Sequence, residues 1–173
     1  MSIALVGLPG SGKSTVGRQL ARRLSFAFLD SDHVIEQRLG CSIREYFERE
    51  GEEQFRDVEE AVIDELSQRP GCVLSTGGGS VLRPSNRSHL HGRCRVVYLR
   101  SSPEEVFRRL RHDRNRPLLQ VADPLQRLKD LYAARDPLYK EAAHFVIETG
   151  RPSVATLVNM IVMQLELSGH LQP

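Results

Sequence analysis

Tryptophan is absent from this 173-residue chain, aromatic residues make up 6% of it, and cysteine occurs only three times. Cys41, Cys72 and Cys94 are widely spaced and form no C-x-x-C pair, so neither a disulfide framework nor a zinc knuckle is indicated. We expect all three to be reduced thiols of the core. The chain has 24 basic and 22 acidic residues, a net charge of +2. This composition gives no reason to expect binding to nucleic acid or to a membrane surface.

Long apolar stretches are missing as well. No eighteen apolar residues follow one another, and no basic leader precedes the first short run, Ile3 to Val6, so we predict a cytoplasmic protein. The six histidines have no metal-binding spacing. A chain of this length with 40% hydrophobic residues can bury one core, and we assign residues 1–173 to a single domain. Nothing in the sequence demands an assembly, and we expect a monomer.

Five short apolar runs rich in branched residues have the pattern of buried parallel strands: SIALV, FAFL, CVLS, RVVYL and HFVIE. Helix-like segments separate them. STVGRQLARRL has Val16, Leu20 and Leu24 at helical spacing, and SSPEEVFRRLRH begins with Ser102 as an N-cap ahead of proline. This alternation predicts an α/β fold with helices on both faces of a parallel sheet. Residues 112–124, with two prolines and no clear period, are predicted to be a mobile loop.

The first strand-to-helix junction carries GLPGSGKST, in which Gly7, Gly12, Lys13 and Ser14 match the phosphate-binding pattern G-x-x-x-x-G-K-[ST]. This motif needs a strand before it and a helix after it, because backbone N–H groups and the helix dipole must converge on phosphate oxygens. Lys13 is expected to reach the β- and γ-phosphates of a nucleotide, and the Ser14 hydroxyl to ligate Mg²⁺. The alternative is a merely flexible glycine turn.

The second predicted strand ends in FLDSD, which places Asp30 and Asp32 at the sheet edge where ligands bind in parallel sheets. Asp30 stands where a carboxylate could hold Mg²⁺ or its water. Asp32 is one step closer to an acceptor, where it could orient or deprotonate a hydroxyl. The alternative is that one of the two carboxylates caps the following helix, HVIEQRL.

Three consecutive glycines, residues 77–79, follow the third predicted strand. Each glycine weakens a regular element by about 0.5–1 kcal/mol relative to alanine, so the triplet serves either a loop with positive φ or a close approach of backbone to a ligand. Arg56 and Arg135 lie on predicted helices, where arginines are usually solvated. Arg116 lies in the predicted mobile loop. An arginine on a loop that closes over a nucleotide would stabilise the transferring phosphoryl group and exclude water.

Taken in order, the segments GLPGSGKSTVG, FLDSDHVIE, SIREYFEREGEEQFRDVEE, STGGGSVL, RNRPLL and RDPLY resemble the shikimate kinase family. The match runs from Ile3 to the last helix, and only the first segment is generic. The resemblance implies a three-layer αβα P-loop kinase fold of the nucleoside-monophosphate-kinase type, with a five-stranded parallel sheet flanked by helices. It implies transfer of the γ-phosphate of ATP to the 3-hydroxyl of shikimate, giving shikimate 3-phosphate and ADP on the way to chorismate, with Mg²⁺ as cofactor.

The resemblance also implies roles for individual residues, with residues 31–60 as the substrate-binding region. The positions that match shikimate contacts are Asp32, Arg56, Gly77, Gly78, Gly79 and Arg135, with Phe47 and Phe55 as an apolar wall and Glu59 beside Arg56. The positions that match the ATP and Mg²⁺ side are Gly10, Ser11, Gly12, Lys13, Ser14, Thr15, Arg109, Arg116 and Pro152, with Asp30 at the metal. The expected catalytic residues are Lys13, Asp32 as candidate base, and Arg116. For Phe47 and Phe55 the alternative is a place in the core.

Two other kinds of protein share parts of this pattern. A gluconate-type or other small-metabolite kinase has the same fold and phosphate loop, but it has no reason to combine the glycine triplet with Arg56 and Arg135. A non-catalytic nucleotide-binding module or switch would keep GLPGSGKST and lose the residues that bind an acceptor. In this sequence all the predicted acceptor residues are present.

Overall fold

Strands and helices alternate along the chain in the computed structural model, which describes residues 1–111 and 121–171. Within those ranges there are five strands: β1 Ile3–Val6, β2 Ala27–Asp30, β3 Cys72–Ser75, β4 Arg95–Arg100 and β5 Phe145–Glu148. The helices there are α1 Lys13–Leu24, α2 Ser31–Leu39, α3 Ile43–Glu50, α4 Glu52–Leu66, α5 Pro84–Arg93, α6 Pro103–Leu110, α7 Pro124–Ala142 and α8 Val154–Leu167. All five predicted strands are present, with ends within one residue of the predicted ends.

The five strands form one parallel sheet in the order β2-β3-β1-β4-β5. The central strand is β1, where Ile3 pairs with Val73 of β3 on one side and with Arg95 of β4 on the other. The chain leaves β1 toward β2 and leaves β3 toward β4, so the loops after these two neighbouring strands run in opposite directions. Such a divergence opens a crevice at the carboxyl ends of the strands, where ligands of open α/β sheets bind.

Each face of the sheet carries its own apolar layer. Alternate residues of a strand point to opposite faces, so Ala4 of β1 belongs to one layer and Leu5 to the other. The Leu5 layer is covered by α1 and α8, for example through Leu20 and Ile161. The Ala4 layer is covered by the other helices, for example through Ile63 of α4. This three-layer arrangement confirms the α/β fold class and the flanking helices.

Local capping explains where α6 begins. The Ser102 side chain accepts the N–H of Glu105, whose carboxylate in turn accepts the N–H of Ser102, so the predicted N-cap is confirmed as a full capping box. All three cysteines are free, and Cys72 and Cys94 are buried as predicted. The core assignment of Cys41 is wrong, because this residue lies half-buried in the short surface connection between α2 and α3.

The predicted mobile loop, 112–124, falls mostly on residues 112–120, which lie outside the described residues, as does its Arg116. At the end of this segment, the Asp123 side chain caps α7, which begins at Pro124. In the ranges 1–111 and 121–171, no helix has the length and apolar character needed to span a membrane.

Candidate active site

A cavity of about 710 Å³ opens at the carboxyl end of the sheet, in the crevice between β1 and β3. The loops after β1, β2 and β3 form one side, and helices α3, α4 and α7 form the other. Arg116 lies outside the described residues, and of the other predicted site residues all but Ser11, Arg109 and Pro152 line this cavity. One concave site therefore joins the predicted nucleotide residues with the predicted acceptor residues.

The phosphate loop wraps around the amino end of α1. Gly10 and Gly12 have φ of 80° and 95°, in the left-handed region that favours glycine, and the helix begins at Lys13. The Lys13 ammonium donates to the carbonyls of Gly7 (2.7 Å) and Leu8 (2.9 Å), and the residue is only 8% exposed. The loop thus combines a helix amino terminus with a buried positive charge, which is the arrangement that binds phosphate oxygens.

Ser14 and Asp30 form a pair of oxygen ligands beside this loop. The Ser14 hydroxyl donates to Asp30 Oδ2 over 3.1 Å and lies 3.5 Å from the hydroxyl of Ser75. Asp30 Oδ1 accepts the N–H groups of Asp32 and His33 and thereby caps α2. The capping carboxylate is therefore Asp30, and Asp32 is left to face the cavity. A hydroxyl and a carboxylate oxygen fit Mg²⁺, which prefers hard oxygen ligands and keeps several waters or phosphate oxygens.

Asp32 stands in the first turn of α2, between the phosphate loop and the glycine triplet. Burial, followed by the negative charges of Glu59 and Asp30, raises the pKa of its carboxyl from 3.8 to about 6, although Lys13 acts in the opposite direction. Burial disfavours the charged form of a carboxyl, and neighbouring carboxylates disfavour it further. A perturbed carboxyl in a cleft is typical of a functional site.

The glycine triplet owes its composition to crowding around its own backbone. In no residue of 77–79 is φ positive, which excludes the first explanation for these glycines. A Cβ on Gly77 would lie 2.6 Å from Asp32 Oδ1, one on Gly78 would lie 2.6 Å from the Pro9 ring, and one on Gly79 would lie 2.5 Å from Arg56 Nη1. The backbone of residues 77–79 therefore lies close to the side chains of Asp32, Pro9 and Arg56, and it forms part of the cavity wall.

Arg56 of α4 is held beside Gly79 by a buried carboxylate. Its Nη1 donates to Glu59 Oε1 over 2.8 Å, and Glu59 Oε2 accepts the hydroxyl of Ser80. The Arg56 side chain is 13% exposed and lies over the Phe55 ring at 5.0 Å. Its Nε makes no hydrogen bond within the described residues but lies 3.6 Å from Glu52 Oε1, so a second carboxylate also faces the guanidinium. The guanidinium also lines the cavity, and its planar fork is suited to a carboxylate.

The remaining wall combines a second guanidinium with apolar surface. Arg135 reaches the cavity from α7, and Ile43 of α3 lines it together with two phenylalanines. The rings of Phe47 and Phe55 are 5.8 Å apart, and Phe47 is 37% exposed whereas Phe55 is 4% exposed. Phe55 therefore belongs to both the core and the wall, and the two explanations for this residue are compatible.

Three predicted nucleotide residues lie beside the cavity. Ser11 is 1% exposed, and its backbone N–H closes the turn of the phosphate loop on Leu8. Arg109 donates to the carbonyl of Gly10 over 3.2 Å, so its guanidinium touches the outer edge of the loop. Pro152 lies in the connection between β5 and α8. Their proposed contacts with ATP stay predictions.

Sequence reasoning missed four residues that line the cavity: Pro9, Ile43, Ser75 and Thr76. The last two end β3 and begin its loop, so their position at the carboxyl edge of the sheet could have identified them. Pro9 lies inside the phosphate-loop motif and could have been found there. Ile43 carries no such sign, because an isoleucine at the start of a helix resembles any core residue.

The fold and the site together define a P-loop kinase, with a phosphate loop, oxygen ligands suited to Mg²⁺ and an acceptor pocket in one cavity. The shikimate kinase family model matches residues 9–166. A shikimate kinase of Paracidovorax citrulli is 63% identical over all of this chain and 96% of that relative, and one of Ralstonia nicotianae is 57% identical over 99% of this chain and 90% of that relative.

Solved structures of shikimate kinases are also similar to this chain. Shikimate kinase from Acinetobacter baumannii in complex with shikimate has a TM-score of 0.92 and 48% identity, covering 99% of this chain and 95% of that chain. Shikimate kinase from Aquifex aeolicus has a TM-score of 0.84 and 35% identity, covering 98% of both chains. The chain belongs to the shikimate kinase family. The family, the kinase class and the fold expected from the sequence are thereby confirmed.

Proposed function

We propose that this chain transfers the γ-phosphate of ATP to the 3-hydroxyl of shikimate, giving shikimate 3-phosphate and ADP, and that its residues act as follows. The observation that carries the proposal is the single cavity in which the phosphate loop faces Asp32, Arg56 and Arg135. Phosphoryl transfer needs little covalent chemistry from the protein and depends on positioning and charge stabilisation. A cavity that holds both substrates positions them, and the cationic side chains of the cavity stabilise the charge.

The nucleotide side is built from the phosphate loop. Backbone N–H groups at the start of α1 and the Lys13 ammonium bind the β- and γ-phosphates of ATP. Ser14 and Asp30 hold Mg²⁺, which supplies charge neutralisation to the phosphate oxygens when bound. The hydrogen bond from the Ser14 hydroxyl to Asp30 Oδ2, 3.1 Å long, supports this assignment because it keeps the two oxygens together.

Asp32 serves the acceptor side. The hydroxyl oxygen of shikimate attacks the γ-phosphorus, the bond from that phosphorus to the bridging oxygen of ADP breaks, and the hydroxyl proton passes to the Asp32 carboxylate. A carboxyl with a pKa of about 6 is ionised at pH 7 and is a stronger base than an ordinary aspartate, which supports this role.

Arg56 and Arg135 bind the carboxylate of shikimate. Guanidinium groups suit this task because their planar fork engages both carboxylate oxygens. Glu59 holds Arg56 from behind, since it is 1% exposed and its Oε1 accepts from Arg56 Nη1. The ring of shikimate then lies against Phe47 and Phe55, with the glycine triplet at its edge.

We further propose that residues 1–173 form a single domain that works as a monomer in the cytoplasm, with residues 31–60 as the shikimate-binding region. The monomer is proposed because nothing in the sequence demands an assembly. Residues from α2, α3 and α4 supply part of the acceptor side of the cavity, beside the glycine triplet and Arg135, which supports the assignment of 31–60. The use of ATP supports the location.

The test is a coupled assay of ADP release with MgATP, run with shikimate, with gluconate and with no acceptor. Arg135→Ala is assayed alongside Lys129→Ala, a matched control that removes an exposed positive charge from the same helix. We expect release that depends on shikimate, an apparent shikimate affinity that collapses only in Arg135→Ala, and little change with the control. Release with gluconate alone would indicate another metabolite kinase, and equal release without acceptor would indicate an ATPase or switch.

A further inference from the structure

Tyr139 of α7 makes a buried contact with the glycine triplet. The residue is fully buried, and its hydroxyl donates a hydrogen bond to the carbonyl oxygen of Gly78 over 2.6 Å. Burial raises the pKa of the phenol to about 12, while the charge of Arg135 and its side-chain interaction with the hydroxyl act in the opposite direction. The hydroxyl therefore keeps its proton, and stays a donor, throughout the pH range of a kinase assay.

The hydrogen bond fixes the orientation of a whole peptide group. A trans peptide is planar, and its C=O and N–H point in opposite directions. The carbonyl of Gly78 and the N–H of Gly79 belong to one such peptide, so anchoring the carbonyl on Tyr139 turns the Gly79 N–H to the opposite side. Gly79 is buried and lines the cavity beside the Arg56 guanidinium.

The Gly79 N–H has no acceptor in the part of the chain that the structure describes. Within residues 1–111 and 121–171 no backbone or side-chain oxygen accepts it or the N–H of Gly78, whereas the N–H of Gly77 donates to Ser31 and that of Ser80 donates to the carbonyl of Gly77. Buried backbone donors in native proteins are almost always paired. An unpaired one at the wall of a cavity is a hydrogen-bond donor for a ligand.

A glycine triplet can hold an N–H in a fixed orientation toward a ligand only if a residue outside the triplet anchors its backbone. Glycine occupies more backbone conformations than other residues, so a run of three leaves each peptide free to rotate unless a partner holds it. At the peptide that joins Gly78 to Gly79, the partner is Tyr139. The same tyrosine lies one helical turn after Arg135, which ties the helix that carries the guanidinium to the loop that carries the N–H.

We propose that Tyr139 is a positioning residue for the acceptor substrate: it orients the peptide of Gly78 and Gly79 so that the Gly79 N–H donates to a shikimate oxygen in register with Arg135. This inference rests on the proposed function. It adds a residue that does not touch the substrate and acts through the loop.

The chain supplies a matched control for the loss of a tyrosine hydroxyl. The ring of Tyr98 packs against that of Tyr139 at 4.9 Å, and Tyr98 is also fully buried. Its hydroxyl donates to Asp136 Oδ1 over 2.7 Å and not to the loop. Tyr98→Phe therefore removes an equally buried hydrogen bond from the same ring pair without freeing the Gly78 carbonyl.

The experiment compares steady-state kinetics of the wild type, Tyr139→Phe and Tyr98→Phe, together with urea unfolding of each. Both variants keep the ring and are expected to fold with reduced stability. We expect the KM for shikimate to rise about tenfold in Tyr139→Phe, with the KM for ATP within about twofold of the wild type, because one hydrogen bond is worth about a factor of ten. Tyr98→Phe is expected to leave the shikimate KM within about twofold.

A spectroscopic measurement tests the same inference independently of activity. In an NMR titration, shikimate is expected to shift the amide proton of Gly79 strongly downfield in the wild type and in Tyr98→Phe, and much less in Tyr139→Phe. An unchanged shikimate KM in Tyr139→Phe, an equal rise in both variants, or a Gly79 shift that persists without the hydroxyl would overturn the inference. If the wild type releases no ADP in response to shikimate, the proposed function itself is wrong. That outcome is distinct from the three results that would overturn only the inference about Tyr139.

Discussion

Replacing Asp32 with asparagine is expected to remove activity and, at neutral pH, to stabilise the folded protein. Burial and the charges of Glu59 and Asp30 raise the pKa of this carboxyl from 3.8 to about 6. A change of one in pKa corresponds to about 1.4 kcal/mol, so ionising Asp32 costs the folded state about 3 kcal/mol more than it costs the unfolded chain. Asparagine has nearly the same shape and carries no charge.

The pH window follows from the sign of the shift. Because the pKa of Asp32 is higher in the folded state, the folded protein binds the proton more strongly, and this stabilisation is complete below pH about 4. It is lost as the pH rises to about 6, where the folded protein also releases the proton. The gain in free energy of unfolding on Asp32→Asn should therefore grow from pH 4 to pH 6 and stay constant above pH 6.

Urea unfolding of the wild type and Asp32→Asn between pH 4 and pH 8 measures this difference. Asp64→Asn is a control of opposite sign, because hydrogen bonding from Arg93 lowers the pKa of the half-buried Asp64 carboxyl. Its wild-type carboxylate stabilises the fold at neutral pH, and this contribution fades in acid. ADP release with shikimate should be lost in Asp32→Asn, while ATP binding should be largely kept.

Two results would refute the reasoning about Asp32. A stability difference that is the same at pH 4 and pH 8 would show that burial does not raise its pKa. An equal loss of ATP binding and of turnover would show that Asp32 is a structural or metal-site residue, and the role of base would then be lost.

Two further predictions concern other parts of the molecule. Gly79→Ala places a Cβ 2.5 Å from the Arg56 guanidinium, so we expect it to displace this group and raise the KM for shikimate. Gly78→Ala places a Cβ 2.6 Å from the rigid Pro9 ring, so we expect it to lower stability more and to weaken ATP binding. Kinetics with each substrate and urea unfolding distinguish the two, and identical effects would contradict the geometry. At the far end of the sheet, His144 Nδ1 accepts the N–H of Val96, and burial together with His91, Arg95 and His170 lowers its pKa to about 4. The unfolded chain then binds the proton more strongly than the folded protein, so protonation of His144 lowers the stability of the fold as the pH falls from about 6.5 to 4. His144→Asn keeps a hydrogen-bond acceptor but does not titrate. In urea unfolding, the stability of this variant should therefore fall less steeply than that of the wild type over the same pH range.

The sheet was predictable because parallel strands buried on both faces leave continuous apolar runs in the sequence. IALV and CVLS are of this kind, and the strands found there end where the runs end. The phosphate loop was predictable because its chemistry demands particular residues at fixed spacing. Helix α5, Pro84–Arg93, was not, since PSNRSHLHGR contains a single large apolar residue, Leu90, and its packing against α4 and α7 arises only in the folded chain.

The acceptor residues were placed by resemblance, and geometry adds what spacing could not. The division of roles between Asp30, which caps α2, and Asp32, which faces the cavity, depends on which carboxylate reaches the N–H groups of α2, a matter of backbone direction at the end of β2. Tyr139 was missed because a buried tyrosine on a helix looks like any core residue until the oxygen that its hydroxyl meets is known.

The glycine triplet links the two halves of the cavity. Gly77 lies against Asp32, Gly78 against Pro9 of the phosphate loop, and Gly79 against Arg56. Three neighbouring residues thus touch the candidate base, the nucleotide loop and the carboxylate-binding arginine, with no space for a Cβ at any contact. A displacement of this loop would alter the positions of both substrates at once, and phosphoryl transfer depends on their relative position. This is why the backbone here must be both bare and anchored: the missing side chains allow the approach, and Tyr139 removes the freedom that their absence creates.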